Sequence, residues 1–256
     1  MRGSGIDSSI SDKVLKITLN RPDRMNILGV EIRRRMLDLL RAHESDENVR
    51  CVVISSSGPV FSAGADLNYL VSLDKKGAKA YSKFVRSFLQ YLEEYPKPTI
   101  GLVRGLAVGG GLELLMTLDV VIATPNARLG QTELNVGLIP GGGGTQRLPR
   151  LVGLRKAKEM VYTGALISAQ EALSIGLVNK VVEEDQLEAE SSLICNKIQS
   201  KSPAGLRMAK EAMNAGRSMS LDEALKLESR LYSRALSGPE AKRRIRAFLQ
   251  RRGQKK

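Results

Sequence analysis

One histidine in 256 residues, two cysteines and no tryptophan set the first limits on this chain. The histidine, His43, falls at the end of the helical pattern "EIRRRMLDLLRAHE" and reads as a surface residue. A Ser-His-Asp triad, an H-E-x-x-H zinc site and a Cys-His pair all need histidines that the chain lacks or does not place suitably. Acid–base chemistry is left to carboxylates, lysine or tyrosine. Cys51 and Cys195 stand far apart and belong to no C-x-x-C pair or Cys/His cluster, so a reducing compartment is the simplest reading and no metal site is suggested. No apolar run approaches the roughly 18 residues that would span a bilayer. The opening "MRGSGIDSS" lacks the apolar centre of a secretory signal. The expectation is a soluble, cytoplasmic protein with no membrane partner; a mitochondrial mature form shorn of its transit peptide would look the same.

What is abundant is positive charge. The formal net charge is +13, and residues 239–256, "PEAKRRIRAFLQRRGQKK", carry +7 of it. Such a run is usually a solvated helix with a frayed end, but it would also serve as a phosphate-binding surface.

Periodicity divides the chain in two. "VLKITLN" alternates as a strand, and "VEIRRRMLDLLRAH" repeats its apolar residues at helical spacing. "VRCVVISS", "PTIGLV" and "DVVIAT", and more weakly "GLVNKVV", are short apolar runs of the kind buried on both faces, with helical patterns between them. This alternation predicts an α/β fold with a mostly parallel sheet. Beyond about Gly153 helical patterns dominate, several of them closed by glycine. Residues 1–9 are expected to be a disordered end or a cloning remnant.

Three glycine-containing loops interrupt the pattern: "FSAGADL" (61–67), "AVGGGLEL" (107–114) and "IPGGGGTQRLP" (139–149). None is a G-x-G-x-x-G or G-x-x-x-x-G-K-[ST] phosphate loop. The first two follow apolar strands and precede helices, where open α/β sheets put their ligands. Glycine there lets backbone N–H groups approach a ligand, and two loops offering one N–H each would hold an oxyanion. Tight helix packing also selects glycine. Glu113, set in "LELLM", must lie near the core, where a carboxylate is costly without partners or a task. Glu133 in "LGQTELNVG" follows the next strand-like segment and, taken alone, reads as a loop residue.

Taken together, "FSAGADL", "GLAVGGGLEL", "GQTELNVGLIPGGGGTQRLPRLVG" and "ISAQEALSIGLVNKVV" resemble the crotonase superfamily, and within it the enoyl-CoA hydratases, from about Val14 to Phe248 in order and spacing. The resemblance implies a crotonase-like spiral of ββα units over residues 10–195 and a C-terminal helical trimerisation region over 196–256. It also implies an acyl-CoA thioester substrate, with CoA as part of that substrate and no other cofactor or metal. By the same resemblance the Ala65 and Gly110 N–H groups form the oxyanion hole, and Glu113 and Glu133 hold a water, deliver it to Cβ and protonate Cα. Ala63, Asp66 and Leu67, with Ala65, correspond to CoA contacts, and Leu70 to an acyl-pocket position. Phe248 and Arg251 match the aromatic and basic residues by which a neighbouring subunit's last helix closes over CoA, which implies a homotrimer or a dimer of trimers. Arginine at 251 stands where lysine is usual, and "QRRGQKK" is more basic than the family's ending.

Two alternatives follow. Enoyl-CoA isomerases use the same scaffold but typically keep a carboxylate like Glu133 and lose the one like Glu113; both are present here. Some hydratase relatives bind RNA, and the positive charge would attract nucleic acid non-specifically. Against specific recognition stand four phenylalanines, six tyrosines and no stacking motif.

Overall fold

The structure, a computed structural model, describes residues 5–253. Two sheets organise the chain. The larger has six strands in the order β1 (Ile6–Ser11), β2 (Val14–Leu19), β3 (Cys51–Ser56), β5 (Thr99–Val103), β7 (Val120–Ala123) and β10 (Lys180–Val181). All its pairings are parallel except β1 with β2. The smaller runs β4 (Val60–Ser62), β6 (Leu106–Val108), β8 (Arg128–Gly130) and β9 (Ile167–Ser168), parallel up to β8. Three successive turns of chain, β3–β4, β5–β6 and β7–β8, each add one strand to the large sheet and then a short strand to the small one. This is the ββα spiral of the crotonase fold.

The apolar runs of β3, β5 and β7 are buried on both faces because both faces are covered. Alternation sends Val52, Ile54, Val103 and Val121 into one core with Leu40, Phe88 and Leu92 of the helices α1 (Val30–Ala42) and α3 (Lys75–Glu93). Cys51, Val53, Ile100, Leu102 and Ile122 enter a second core under Leu187 and Cys195 of α8 (Leu187–Gln199). At Gly101 a Cβ would lie 2.8 Å from Leu118 and 3.0 Å from Leu115, so β5 needs glycine for this packing to close.

Two expectations change on this frame. Residues 6–9, read as part of a disordered end, belong to β1, because Ile6 is buried and the strand pairs along its length with β2; residues 1–4 lie outside the described residues. The boundary at 195/196 falls inside α8, whose inner side covers β3, β5 and β7 and so belongs to the core. The two cysteines, distant in sequence, meet as free thiols between β3 and α8, where the Cys195 contact and burial push the Cys51 thiol up.

Helices α9 (Pro203–Gly216) and α10 (Leu221–Ser237) pair with each other, and α11 (Pro239–Gly253) packs on α10. A Ser220/Glu223 capping box starts α10. The nearly buried Lys210 fastens α9 to the core through Asp119 at 2.8 Å. Among the described residues, no helix is long and apolar enough to cross a membrane.

Candidate active site

Ala65, Gly110 and Glu133 each follow a short strand of the small sheet: Ser62 ends β4, Val108 ends β6 and Gly130 ends β8. Because β4, β6 and β8 are parallel neighbours, their following loops emerge side by side. Register therefore brings together residues up to 68 positions apart in sequence.

The first loop is pinned from below. Ala63 N–H donates to Met25 O at 3.0 Å, Gly64 N–H to Ser62 Oγ at 3.1 Å, and Leu28 N–H to Gly64 O at 2.7 Å. Gly64 has φ +90°, and a Cβ on it would sit 3.0 Å from Gly110 N. A Cβ on Gly110 would in turn lie 3.5 Å from Ala65 N. Glycine at 64 and 110 thus lets the backbone segments that bear the Ala65 and Gly110 amides approach closely. Gly110 is the first residue of α4 (Gly110–Leu115), so its N–H has no acceptor within the helix.

Glu113, one turn into α4, is 3 % exposed. Its Oε1 accepts Gly142 N–H at 2.7 Å and Gly144 N–H at 2.8 Å. Burial raises its pKa above the ordinary carboxylate value, against the opposing pull of these two bonds, Arg33 and Arg147. The third glycine loop is therefore a holder for a carboxylate, a role its sequence does not announce. Arg147 fixes that loop by donating to Gly142 O at 2.8 Å and pairing with Glu93 of α3 at 2.6 Å. A side chain on Gly142 would strike Glu113 Oε2 and come within 2.6 Å of Leu89.

Glu133 opens the 3-10 turn Glu133–Val136, and its carboxyl lies against Gly109, 3.5 Å from where a Cβ there would be. Oε1 accepts from Gln131 Nε2 at 2.8 Å, whereas the buried Oε2 has no hydrogen-bond partner within the chain. Burial first, and the charge of Glu113 second, raise its pKa to about 7. A carboxylate whose pKa is raised by burial and by a second carboxylate nearby is suited to exchange a proton with a molecule held against it.

The other expected residues are placed as follows. Ala63 lies in the pinned loop, and Asp66 caps α2 (Leu67–Val71) by accepting from Asn68 N–H at 3.1 Å and Tyr69 N–H at 3.3 Å. Leu67 is exposed and Leu70 half-buried on that helix. Phe248 and Arg251 ride on α11, which Glu240 and Arg244 tie to the turn at 200–202, so one chain holds them on a helix separate from these loops. Reasoning from sequence missed Gln131, Gly142, Gly144, Arg147 and Arg33; the run of four glycines after Pro140 was the available signal for two of them. Among the described residues no group of three or more His, Cys, Asp or Glu side chains is arranged to hold a metal ion.

Comparison with known proteins gives the chain's family. The family model described as enoyl-CoA hydratase/isomerase matches residues 9–255. A short-chain-enoyl-CoA hydratase of Clostridium acetobutylicum is 38 % identical over 241 residues, covering 94 % of this chain and 92 % of the relative. A crotonyl-CoA hydratase of Syntrophomonas wolfei is also 38 % identical, over 94 % of this chain and 93 % of its own length. The crystal structure of an enoyl-CoA hydratase from Bacillus anthracis superposes with a TM-score of 0.92 at 36 % identity, covering 96 % of each chain. With the fold, the paired glutamates and these relatives in agreement, the chain belongs to the enoyl-CoA hydratase/isomerase family.

Proposed function

We propose that this chain, an enoyl-CoA hydratase by family and fold, holds the carbonyl of a 2-enoyl-CoA thioester between the Ala65 and Gly110 N–H groups and adds water across the 2,3-double bond with Glu113 and Glu133. The observation that carries the reading is the second carboxylate: Glu133 lies against Gly109, next to Gly110, and close enough to Glu113 for that carboxylate to raise its pKa.

Their surroundings divide the work. Burial raises the Glu113 pKa above that of a free carboxylate despite the two backbone N–H bonds it accepts, which makes it a better base to take a proton from the water as that oxygen bonds to C3. The π electrons move onto the thioester oxygen as an enolate, which the two amides stabilise. Glu133, raised to about 7, is protonated in a good fraction of molecules at neutral pH, and its partnerless Oε2 is where that proton can be offered to C2. The product is a 3-hydroxyacyl-CoA, and the proton on Glu113 returns to Glu133 through solvent.

Ala63, Asp66 and Leu67 border the CoA, and Leu70 the acyl chain. Phe248 and Arg251 of a neighbouring subunit close over the CoA in a trimer or a dimer of trimers. Exposed Leu225, Tyr232 and Leu236 on α10 and Ile245, Phe248 and Leu249 on α11 support such an assembly. Bacterial relatives favour a cytoplasmic setting. The test follows the loss of enoyl-thioester absorbance over a panel of chain lengths. Hydration of 2-enoyl thioesters is expected; conversion of 3-enoyl thioesters without hydration would move the protein to the isomerases.

A further inference from the structure

Helix α1 carries three consecutive arginines, and the first of them turns inward. Arg34 is exposed, whereas Arg33, between Ile32 and Met36 of the buried face, is only 2 % exposed. A cation in that position is expensive unless something nearby uses its charge.

The guanidinium is held firmly. Nη1 donates to Leu28 O and, at 3.3 Å, to the Tyr81 hydroxyl of α3, and Cζ stands 5.9 Å from the Tyr81 ring centroid. Nε is buried without a partner. Nη2 faces Gly110, lying 3.2 Å from the point where a Cβ on Gly110 would be, and Ala65 N is 3.5 Å from that same point. Arg33 therefore stands in the wall that bears both amides. Among the described residues it forms no ion pair within 4 Å. The ionisable groups that bear on it are Tyr81 of α3 and Glu113 of α4; burial lowers its pKa, and both of them raise it. Arginine starts so high that it stays charged at neutral pH.

We propose that Arg33 is an electrostatic residue of the hydration: its fixed positive charge beside the Ala65 and Gly110 amides stabilises the enolate oxygen that forms when water adds. The proposal rests on the reading of those amides as the oxyanion hole. Two backbone N–H groups supply only dipoles, and a full charge held in place within a water-poor wall adds to them without reorganisation. An uncharged thioester gains little from this charge and an enolate much, so the effect belongs to kcat rather than KM.

The experiment compares Arg33→Met, close in length but uncharged, with Arg33→Lys, in the full-length protein. It measures kcat and KM on a 2-enoyl-CoA thioester, and the pH at which a bound 3-oxoacyl-CoA thioester becomes its enolate, read from the near-ultraviolet absorbance of that enolate. For Arg33→Met, kcat should fall about 10–100-fold with KM changed less than about 3-fold, and bound enolate should appear about 1–2 pH units higher. Arg33→Lys should recover most of both. If Arg33→Met does not fold, as circular dichroism will tell, Arg33→Gln against Arg33→Lys gives the same contrast of charge. A folded uncharged variant with wild-type kcat and enolisation pH overturns the proposal, as does one whose kcat falls while its enolisation pH stays fixed. If either occurs while the wild type hydrates 2-enoyl thioesters, the hydratase reading survives without Arg33. A wild type that hydrates none removes both.

Discussion

The loops after β4, β6 and β8 keep charge inside the molecule, while the C-terminal helices keep apolar surface outside it. Glu113 and Arg33 are each at most 3 % exposed, whereas Leu221 on α10 is 76 % exposed, Tyr232 64 % and Phe248 on α11 63 %. In the loops, most of the buried polar atoms find partners within the chain: Gly142 and Gly144 serve Glu113, and Gln131 serves Glu133. Of the four buried side-chain polar atoms left without a partner among the described residues, Glu133 Oε2 and Arg33 Nε lie where substrate and developing charge are proposed to be, and Gln131 Oε1 and Ser56 Oγ are the others. One chain thus completes the proposed catalytic wall, while its last helices keep large apolar side chains exposed. A buried charge must be solved locally or the fold pays several kcal/mol, while an apolar helix face can wait for a partner.

The largest effects should come from the wall. Glu113→Gln and Glu133→Gln should each lower kcat about 10²–10⁴-fold, with binding of CoA thioesters nearly intact, as measured by steady-state kinetics and calorimetry. Since both groups act in one addition, Glu113 as base and Glu133 as acid, the double variant should be little worse than the poorer single one. Gly110→Pro removes one amide donor and adds bulk, and should cost at least about 2.7–4 kcal/mol of transition-state stabilisation, assayed as kcat/KM in a variant whose circular dichroism is native. Near-normal turnover there would place the oxyanion elsewhere.

At the helical end the expected change is in mass and affinity. Deleting residues after Ser237 removes α11 with Phe248 and Arg251, and should reduce assembly, by sedimentation, together with CoA affinity. A monomeric truncation that binds CoA unchanged would break the comparison, since the wall would then need no neighbour.

The smallest effect concerns stability. In the unfolded chain Glu133 ionises near its ordinary 4.5, and in the fold near 7. Between those values the folded state binds more protons than the unfolded one, so this group's contribution is full below about 4.5 and is lost as pH rises through about 7. Glu133→Gln should therefore gain melting temperature over the wild type as pH goes from 5 to 8, by roughly 2–4 °C for each kcal/mol recovered. In the active enzyme the same ionisation predicts that kcat/KM falls as pH rises through about 7, a limb that Glu133→Gln should lack.

Much of this was legible in the sequence because repeated local patterns carry it. Continuous apolar runs announced β3, β5 and β7, and Glu113 within "LELLM" announced a carboxylate near the core. Less visible was what depends on register between sheets. The three-residue strands β4, β6 and β8 are too short to show a period, yet their pairing sets Ala65, Gly110 and Glu133 side by side. Arg33 lay hidden in the run "RRR", where helical spacing alone cannot say which arginine faces inward. The meeting of Cys51 with Cys195 was hidden for the same reason, since α8 crosses over β3 far along the chain.

The central claim is that this wall adds a water molecule to an enoyl thioester. It is tested most directly by incubating the purified protein with a 2-enoyl-CoA in oxygen-18 water and analysing the acyl product by mass spectrometry. The account predicts a 3-hydroxyacyl-CoA carrying one oxygen-18 atom at its hydroxyl, formed by the wild type and much more slowly by Glu113→Gln. A wild-type product without the label, or a labelled one formed equally fast by Glu113→Gln, would contradict it.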